Sequence, residues 1–227
     1  MVQVRLTAVR DRIADAARRA GRDPGEVTLL AVTKTHSRST IDGAIRAGIT
    51  VFGENRVQEA AGKYHDIASA VELHLVGHLQ SNKAKDVPGL FSWVESIDSI
   101  STARALSRRC DAAEWECSVL VQYNCSREAT KSGYRDTSRL IDEAEEIARL
   151  PRLRLRGVMT IGPFGAGERR VAEAFADTRS VFETLREQLA NEAIDTLSMG
   201  MTDDFEIAIA HGSTLVRIGS ALFGARS

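Results

Sequence analysis

Short apolar runs alternate with longer amphipathic stretches along nearly all 227 residues of the chain. Each run has the length of a buried strand, and the stretches between them carry hydrophobic residues at helical spacing. The predicted strands are residues 27–33, 49–52, 72–76, 92–96, 117–122, 153–159, 194–197 and 214–218. The predicted helices between and after them are residues 38–47, 54–68, 80–87, 99–113, 136–149, 168–191 and 203–211. A further amphipathic helix covers the first 19 residues.

Strands that alternate with helix-length segments predict a parallel sheet built from βαβ units. Eight such units can close into a TIM-type (β/α)8 barrel, for which a chain of this length suffices. An open doubly wound sheet is the alternative, but its Gly-x-Gly-x-x-Gly turn is absent from the chain. We therefore predict an α/β protein with one domain over residues 1–227, a single barrel with an extra N-terminal helix.

The amino-acid composition limits the kinds of molecule that this protein is expected to bind and the compartment in which it is expected to work. The formal net charge of −1 gives no reason to propose nucleic acid or an acidic membrane surface. No apolar stretch approaches the roughly 20 residues that span a bilayer. The three cysteines form no Cys-x-x-Cys pair and are odd in number, which favours reduced thiols. We expect a cytoplasmic protein, and a monomer, because no exposed apolar stripe argues for an obligate dimer.

A single lysine, Lys34, ends the first predicted strand, after the apolar residues 27–33. Taken alone, a lysine at such a place is usually a solvated edge residue. Partial burial would lower its pKa and leave the neutral amine that attacks an aldehyde to form a Schiff base. Because the first and eighth strands of a closed barrel are neighbours, Lys34 should lie beside the turn that follows the eighth strand.

That turn has the composition of a phosphate site. Arg217 lies in the eighth predicted strand, and a glycine turn that opens a short helix follows it. We expect the backbone N–H groups of Gly219 and Ser220, with Ser198 Oγ, to hold a phosphate, while Gly200 permits close backbone approach. The alternative is that the glycines only cap a helix, which leaves Arg217 unexplained. A reactive lysine beside a phosphate site describes a site for pyridoxal 5'-phosphate (PLP).

Other side chains are candidates for the walls of this site. Arg217 would face the pyridine nitrogen and keep it largely neutral, and a structural ion pair is the alternative. Asn55, after the second strand, could contact the ring hydroxyl or the lysine, or could simply cap a helix. Met159 and the residues after it could wall the ring. Glu54 and Glu59 are expected to be charges on a helix surface.

No metal site is expected. His74 and His78 are four residues apart, a spacing that suits a metal only on a helix, whereas this segment is predicted to be a strand entering a turn. The polar loop 124–133 after the fifth strand could be a lid over the site or an ordinary surface loop.

The chain resembles the pyridoxal phosphate homeostasis protein family, which is related to the N-terminal barrel of alanine racemase. The matching segments are AVTKTH, VFGENRVQE, HLVGHLQSNK, QYNCSREATKSGY, GVMTIGP, LSMGMTDDFEIAI and GSTLVRIGSALFG. The resemblance implies that Lys34 carries PLP as an internal aldimine, with Ser198, Arg217, Gly219 and Ser220 around the cofactor. It also implies a cytosolic role in PLP balance without an established catalytic activity. Cys125 is a small departure from the expected pattern.

Two functions of different classes remain open. The first is a protein that binds, buffers or delivers PLP, with apo forms of PLP-dependent enzymes as its partners. The second is a PLP-dependent enzyme such as an amino-acid racemase, which needs a base on each face of the substrate. Alanine racemase-like enzymes take the second base from a further domain, which we do not expect here, so the binding protein is favoured. A barrel enzyme acting on a phosphorylated substrate without PLP is a third possibility.

Overall fold

Eight parallel strands close into a barrel in chain order in the computed structural model, which describes residues 2–126, 128 and 131–224. The strands are β1 (Thr28–Val32), β2 (Val51–Glu54), β3 (Glu72–Leu75), β4 (Trp93–Ile97), β5 (Cys117–Tyr123), β6 (Leu153–Thr160), β7 (Thr196–Ser198) and β8 (Leu215–Ile218). The helices are α1 (Val2–Arg19), α2 (Arg38–Arg46), α3 (Val57–Tyr64), α4 (Ile100–Ala112), α5 (Thr137–Ala148), α6 (Glu168–Leu189), α7 (Phe205–Ala210) and α8 (Ser220–Phe223). The predicted TIM-type barrel with an extra N-terminal helix is confirmed.

Two of the predicted helices differ from the structure. Residues 80–87 form a 3-10 helix, Ser81–Asp86, rather than an α-helix. The helix predicted over residues 54–68 is shorter, because β2 continues to Glu54, which pairs with Leu75 of β3. The chain then needs two further residues to turn before α3 begins. Parallel pairing at the rim of the barrel therefore overrides the helical pattern at this point.

The barrel closes where β1 pairs with β8, with Leu30 opposite Arg217. Helix α1 packs against α7 and α8, over the same part of the barrel. Its buried residues recur at helical spacing and form one apolar stripe: Leu6, Val9, Ile13, Ala16 and Ala17. Residues far apart in the sequence thus meet at the junction between the first and last strands. Within the described ranges, no helix has both the length and the apolar character needed to cross a membrane.

Candidate functional site

A cavity of about 220 Å³ opens at the carboxyl ends of the strands, beside the β1–β8 junction. This end of the barrel carries the active site in TIM-barrel enzymes, so its position alone marks the cavity as a candidate site. The lining residues are Val32, Lys34, His36, Asn55, Val76, Ile161, Met201, Thr202, Asp203, Arg217, Gly219, Ser220 and Gly224. Larger cavities lie elsewhere, including one of about 430 Å³ between α1 and the opposite end of the barrel.

Five residues singled out from the sequence line this one cavity: Lys34, Asn55, Arg217, Gly219 and Ser220. They come from three segments of the chain, at Lys34, at Asn55 and at residues 217–220, and Lys34 and Ser220 are 186 positions apart. The cavity therefore combines an amine, an amide, a guanidinium and the backbone of a glycine turn. Whether these groups contact a cofactor stays a prediction.

The other three singled-out residues, Met159, Ser198 and Gly200, are absent from the wall of the cavity. Ser198 and Met159 are completely buried in their strands, and Ile161, two residues after Met159, lines the cavity instead. Gly200 does permit a close approach, but to helix α7: a Cβ at this position would lie 2.6 Å from the Cβ of Ala208.

Ser198 belongs to a chain of hydrogen bonds that crosses the interior of the barrel. Its hydroxyl donates to Glu95 Oε2 at 2.5 Å and accepts from Arg217 Nη1 at 2.6 Å. Since β4 and β7 are not neighbours in the sheet, the contact between Glu95 and Ser198 must cross the interior. Glu95 Oε1 also lies 2.6 Å from His74 Nδ1, and Glu72 Oε1 lies 2.9 Å from His74 Nε2. We call Glu72, His74, Glu95, Ser198 and Arg217 the barrel network.

The charges of the barrel network support one another. Burial opposes the charge on His74, but its hydrogen bonds to Glu72 and Glu95 outweigh burial and raise the pKa of the imidazole. Burial likewise opposes the charge on Glu95, but the contact with His74 and the charge of Arg217 lower the pKa of that carboxyl. Burial lowers the pKa of Arg217, and the charges of Glu95 and Asp204 oppose this shift. Arg217 remains a cation, because a guanidinium does not lose its proton in proteins.

Arg217 is only 4% exposed and is fixed from two sides. Besides the bond to Ser198, its Nη2 donates to the backbone oxygen of Thr160 at 2.6 Å. The guanidinium is therefore held rigidly where it meets the wall of the cavity. Positioned in this way, it can interact with a ligand without first losing conformational freedom.

A second charged group joins the last residue of β2 to helix α3, and we call Glu54, Glu59 and Lys63 the Lys63 cluster. Lys63 Nζ lies 3.0 Å from Glu54 Oε1 and 2.6 Å from Glu59 Oε1. The expectation that Glu54 is a surface charge is wrong, because its side chain is 0% exposed. Glu54 ends a strand beneath a helix, where its side chain turns into the protein.

The lining of the cavity includes two residues that the sequence analysis missed, Thr202 and His36. Thr202 Oγ1 lies 3.1 Å from Ser220 Oγ, and the His36 ring packs on Phe223 with centroids 4.9 Å apart. Thr202 comes four residues after Ser198, in the loop that follows β7. Its place in that loop, at the carboxyl end of a strand, is the signal that could have indicated it.

Asn55 is not the N-cap of α3, since that position is taken by Arg56. The backbone of Asn55 instead lies against Gly77, where an added Cβ would come within 2.2 Å of the Asn55 carbonyl oxygen. This close approach places Asn55 at the cavity wall. Asn55, Val76 and Ile161 also line an adjoining cavity of about 210 Å³ that includes His78.

The histidines do not form a metal pair. His74 lies in β3 between two carboxylates, and His78 Nδ1 lies 3.0 Å from Asp98. Among the described residues, no group of three or more histidine, cysteine, aspartate or glutamate side chains is arranged to hold a metal ion. Residues 127, 129 and 130 of the loop considered as a lid lie outside the described residues.

Comparison with known proteins gives a consistent result. Residues 4–227 match the family model of the alanine racemase N-terminal domain. The pyridoxal phosphate homeostasis protein of Pseudomonas aeruginosa is 45% identical over 224 residues, which cover 97% of this chain and 94% of that protein. The chain belongs to the pyridoxal phosphate homeostasis protein family. The resemblance read from the sequence motifs is confirmed.

Other members of the family extend the match. The Escherichia coli K12 protein of the same name is 44% identical over 225 residues, covering 97% of this chain and 95% of that protein. PipY of Synechococcus elongatus, solved with PLP bound, has a TM-score of 0.86 at 32% identity and covers 99% of this chain and 100% of its own. The fold of this family member thus accommodates PLP.

Proposed function

We propose that this protein binds PLP in the cavity at the β1–β8 junction, as a Schiff base of Lys34, and serves in the homeostasis of the cofactor. The observation that carries the proposal is the meeting of Lys34, Arg217 and the Gly219–Ser220 turn in one cavity. Homologues named for PLP homeostasis, and PipY with PLP bound, support it.

The residues of the cavity fit PLP chemically. A cavity of about 220 Å³ suits a small ligand. The Lys34 amine can condense with the aldehyde, and the backbone N–H groups at Gly219 and Ser220, with the nearby Thr202 hydroxyl, can donate to phosphate oxygens. Ser198 Oγ already forms hydrogen bonds with Glu95 and Arg217, so we assign it to holding Arg217 rather than the phosphate. Bound PLP supplies an electrophilic aldehyde and an electron-withdrawing ring.

Two features favour binding without strong catalysis. A permanently cationic Arg217 facing the ring cannot take up the proton of a pyridinium, which would leave the ring a weak electron sink. The three tyrosines are also buried away from the cavity wall. Tyr64, Tyr123 and Tyr134 hydrogen-bond to Thr33, Asp177 and Glu143, respectively. None of them is placed to act as a second base opposite Lys34.

A buffering or delivery role follows from reversible binding. Schiff-base formation releases water and is reversed by hydrolysis, so PLP held in this way can be passed on. The partners we propose are the apo forms of enzymes that require PLP, encountered in the cytoplasm, with the protein acting as a monomer.

The test is to reduce the PLP-loaded protein with borohydride and to map the labelled peptide. We expect the label on Lys34, and we expect Lys34→Ala to lose the visible absorbance while keeping its circular dichroism. Lys85→Ala, at an exposed lysine away from the cavity, is the matched control and should behave like the parent protein. A label on another lysine, or no label at all, would refute the proposal.

The enzyme alternative is tested separately with a panel of L-amino acids in deuterated water. We expect no exchange of the α-proton at an enzymatic rate by NMR. Exchange or racemisation at about one turnover per second or faster would replace the binding role by a catalytic one.

A further inference from the structure

Lys34 lies between Thr33 and Thr35, and the backbone of each threonine is hydrogen-bonded to a side chain of the Lys63 cluster. Lys63 Nζ donates to the backbone oxygen of Thr33 at 2.9 Å. The backbone N–H of Thr35 donates to Glu59 Oε1 at 2.5 Å. The residues immediately before and after Lys34 are therefore held by a pair of groups that are themselves in contact, at 2.6 Å.

The backbone at Thr35 needs such support. Its φ of 68° places it in the left-handed region, which is unfavourable for a β-branched side chain. Among the described residues, Glu114, Arg152 and Ala190 also have a positive φ, but none of these is β-branched. A conformation of this kind persists only where surrounding contacts hold it, and it is found most often near functional sites.

Glu59 is placed to provide this contact. It is the third residue of α3, where a glutamate often turns back to the N-terminal N–H groups of its own helix. Here its carboxylate reaches Thr35 instead, across the gap between α3 and the loop after β1. Lys63 lies one turn later in α3 and fixes the carboxylate from the other side, and Glu54 fixes Lys63 in turn.

Thr33 is constrained more heavily than Thr35. Its hydroxyl lies 2.7 Å from Glu54 Oε1 and 2.6 Å from the Tyr64 hydroxyl, and its own N–H donates to the backbone of β2. Thr33 would stay in place if one of these bonds were lost. At Thr35 the hydrogen bond to Glu59 holds the backbone, so its loss should change the direction of Lys34.

We propose that Glu59 is a positioning residue for Lys34: by accepting the Thr35 N–H, it keeps the backbone left-handed and aims the Lys34 amine into the cavity. This positioning role depends on the proposed function only in that Lys34 is taken to react with PLP. The hydrogen bond itself can be tested on the protein without PLP.

The experiment compares Glu59→Ala with Glu59→Gln. The glutamine keeps an oxygen that can accept the Thr35 N–H, whereas the alanine does not. We expect Glu59→Ala to slow the capture of PLP, followed by visible absorbance, by about tenfold, and Glu59→Gln by less than about threefold. Glu183→Ala removes the partner of Arg179, an exposed pair with the same i,i+4 spacing on α6, and is the matched control. It should stay within twofold of the parent protein.

A second measurement uses no cofactor. Amide hydrogen exchange at Thr35, followed by NMR on the apo protein, should accelerate by at least about tenfold in Glu59→Ala and remain close to the parent rate in Glu59→Gln. This result would stand even if borohydride labelled a different lysine, so failure of the proposed function and failure of this proposal are distinguishable.

A third variant tests the backbone directly. Asparagine tolerates the left-handed region better than threonine, so Thr35→Asn should need Glu59 less. We expect Glu59→Ala to slow PLP capture by no more than about threefold in the Thr35→Asn background, against about tenfold in the parent. Equal losses in both backgrounds, equal losses in the alanine and glutamine variants, or normal capture in Glu59→Ala would each overturn the proposal.

Discussion

The barrel network and the Lys63 cluster are two ionic groups that support different parts of the same cavity wall, namely Arg217 and the segment around Lys34. The barrel network lies inside the strands and ends at Arg217, and its His74 and Glu95 side chains are 0% exposed. The Lys63 cluster joins the last residue of β2 to helix α3, and the side chains of Lys63 and Glu59 are 13% and 26% exposed. One group holds a cation of the cavity wall directly, and the other holds the backbone around Lys34.

The two groups differ in how completely their polar atoms are paired. Both oxygens of Glu95 have close partners, one in His74 and one in Ser198. Among the described residues, Glu54 Oε2 is buried without a hydrogen-bond partner. Burial accordingly raises the pKa of Glu54, although Thr33 and Lys63 oppose the shift, whereas the pKa of Glu95 is lowered. Glu54 is as fully enclosed as Glu95, so its incomplete pairing makes the charge of Glu54 the less favourable of the two.

The largest expected effect is on stability, at the centre of the barrel network. Glu95→Gln should lower the free energy of unfolding by about 3 kcal/mol, because it removes the buried carboxylate that compensates the charges of His74 and Arg217. Denaturant unfolding of the apo protein measures this loss. A loss below about 1 kcal/mol would mean that the network contributes no more than a surface ion pair.

The second-largest effect is expected on PLP binding, at Arg217, where the barrel network meets the cavity. Arg217→Met should weaken PLP binding by about 10- to 100-fold, since charge-assisted contacts contribute roughly 1.5–3 kcal/mol. Titration followed by absorbance gives the dissociation constant. Arg12→Met is the control, because Arg12 pairs with Glu206 on the outer surface. Unchanged affinity in Arg217→Met would remove this residue from the site.

The pH dependence of stability distinguishes the two groups further. The pKa of His74 is raised above its ordinary value of 6.5, so its contribution is complete below pH 6.5 and is lost as pH rises through the raised value. The pKa of Glu95 is lowered from 4.5, so its contribution is present above pH 4.5 and is lost as pH falls through the lowered value. We expect His74→Gln to remove the decline on the alkaline side, as measured by unfolding at a series of pH values. An unaltered pH profile in this variant would contradict that assignment.

The smallest effect is expected for the substitution in the Lys63 cluster that corresponds to Glu95→Gln. Glu54→Gln should change the free energy of unfolding by no more than about 1 kcal/mol, because burial, which raises the pKa of Glu54, already disfavours the carboxylate. The same denaturant measurement applies. A loss as large as that of Glu95→Gln would erase the distinction between the two groups.

The sequence was sufficient to predict the architecture and one side of the site. Apolar runs at strand length and helices between them define a closed parallel barrel, and closure places the first and last strands side by side. Lys34 and Arg217 therefore converge whatever the details of packing, as the shared cavity shows. The local hydrophobic pattern and the topology are therefore enough to predict where residues at the ends of strands lie.

The sequence alone could not predict the contacts made by buried polar side chains. The sequence pattern places Ser198 at a phosphate; in the structure its hydroxyl donates to Glu95 across the barrel, a contact that depends on which side chains face inward. The sequence pattern also extends the helix over Glu54 and so predicts a surface charge, whereas this residue pairs within the sheet. At Glu54, one residue of register decides whether a side chain meets solvent or the core.

The sequence by itself thus determined the order of strands and helices, the family and the carboxyl-end location of Lys34 and Arg217. Only the tertiary structure decided that Arg217 is held through Ser198, Glu95 and His74, and that Glu59 reaches the loop around Lys34. The physical reason is that periodicity and turns are local properties of the chain. The pairing of buried charges instead depends on distances between elements that only the closed barrel establishes.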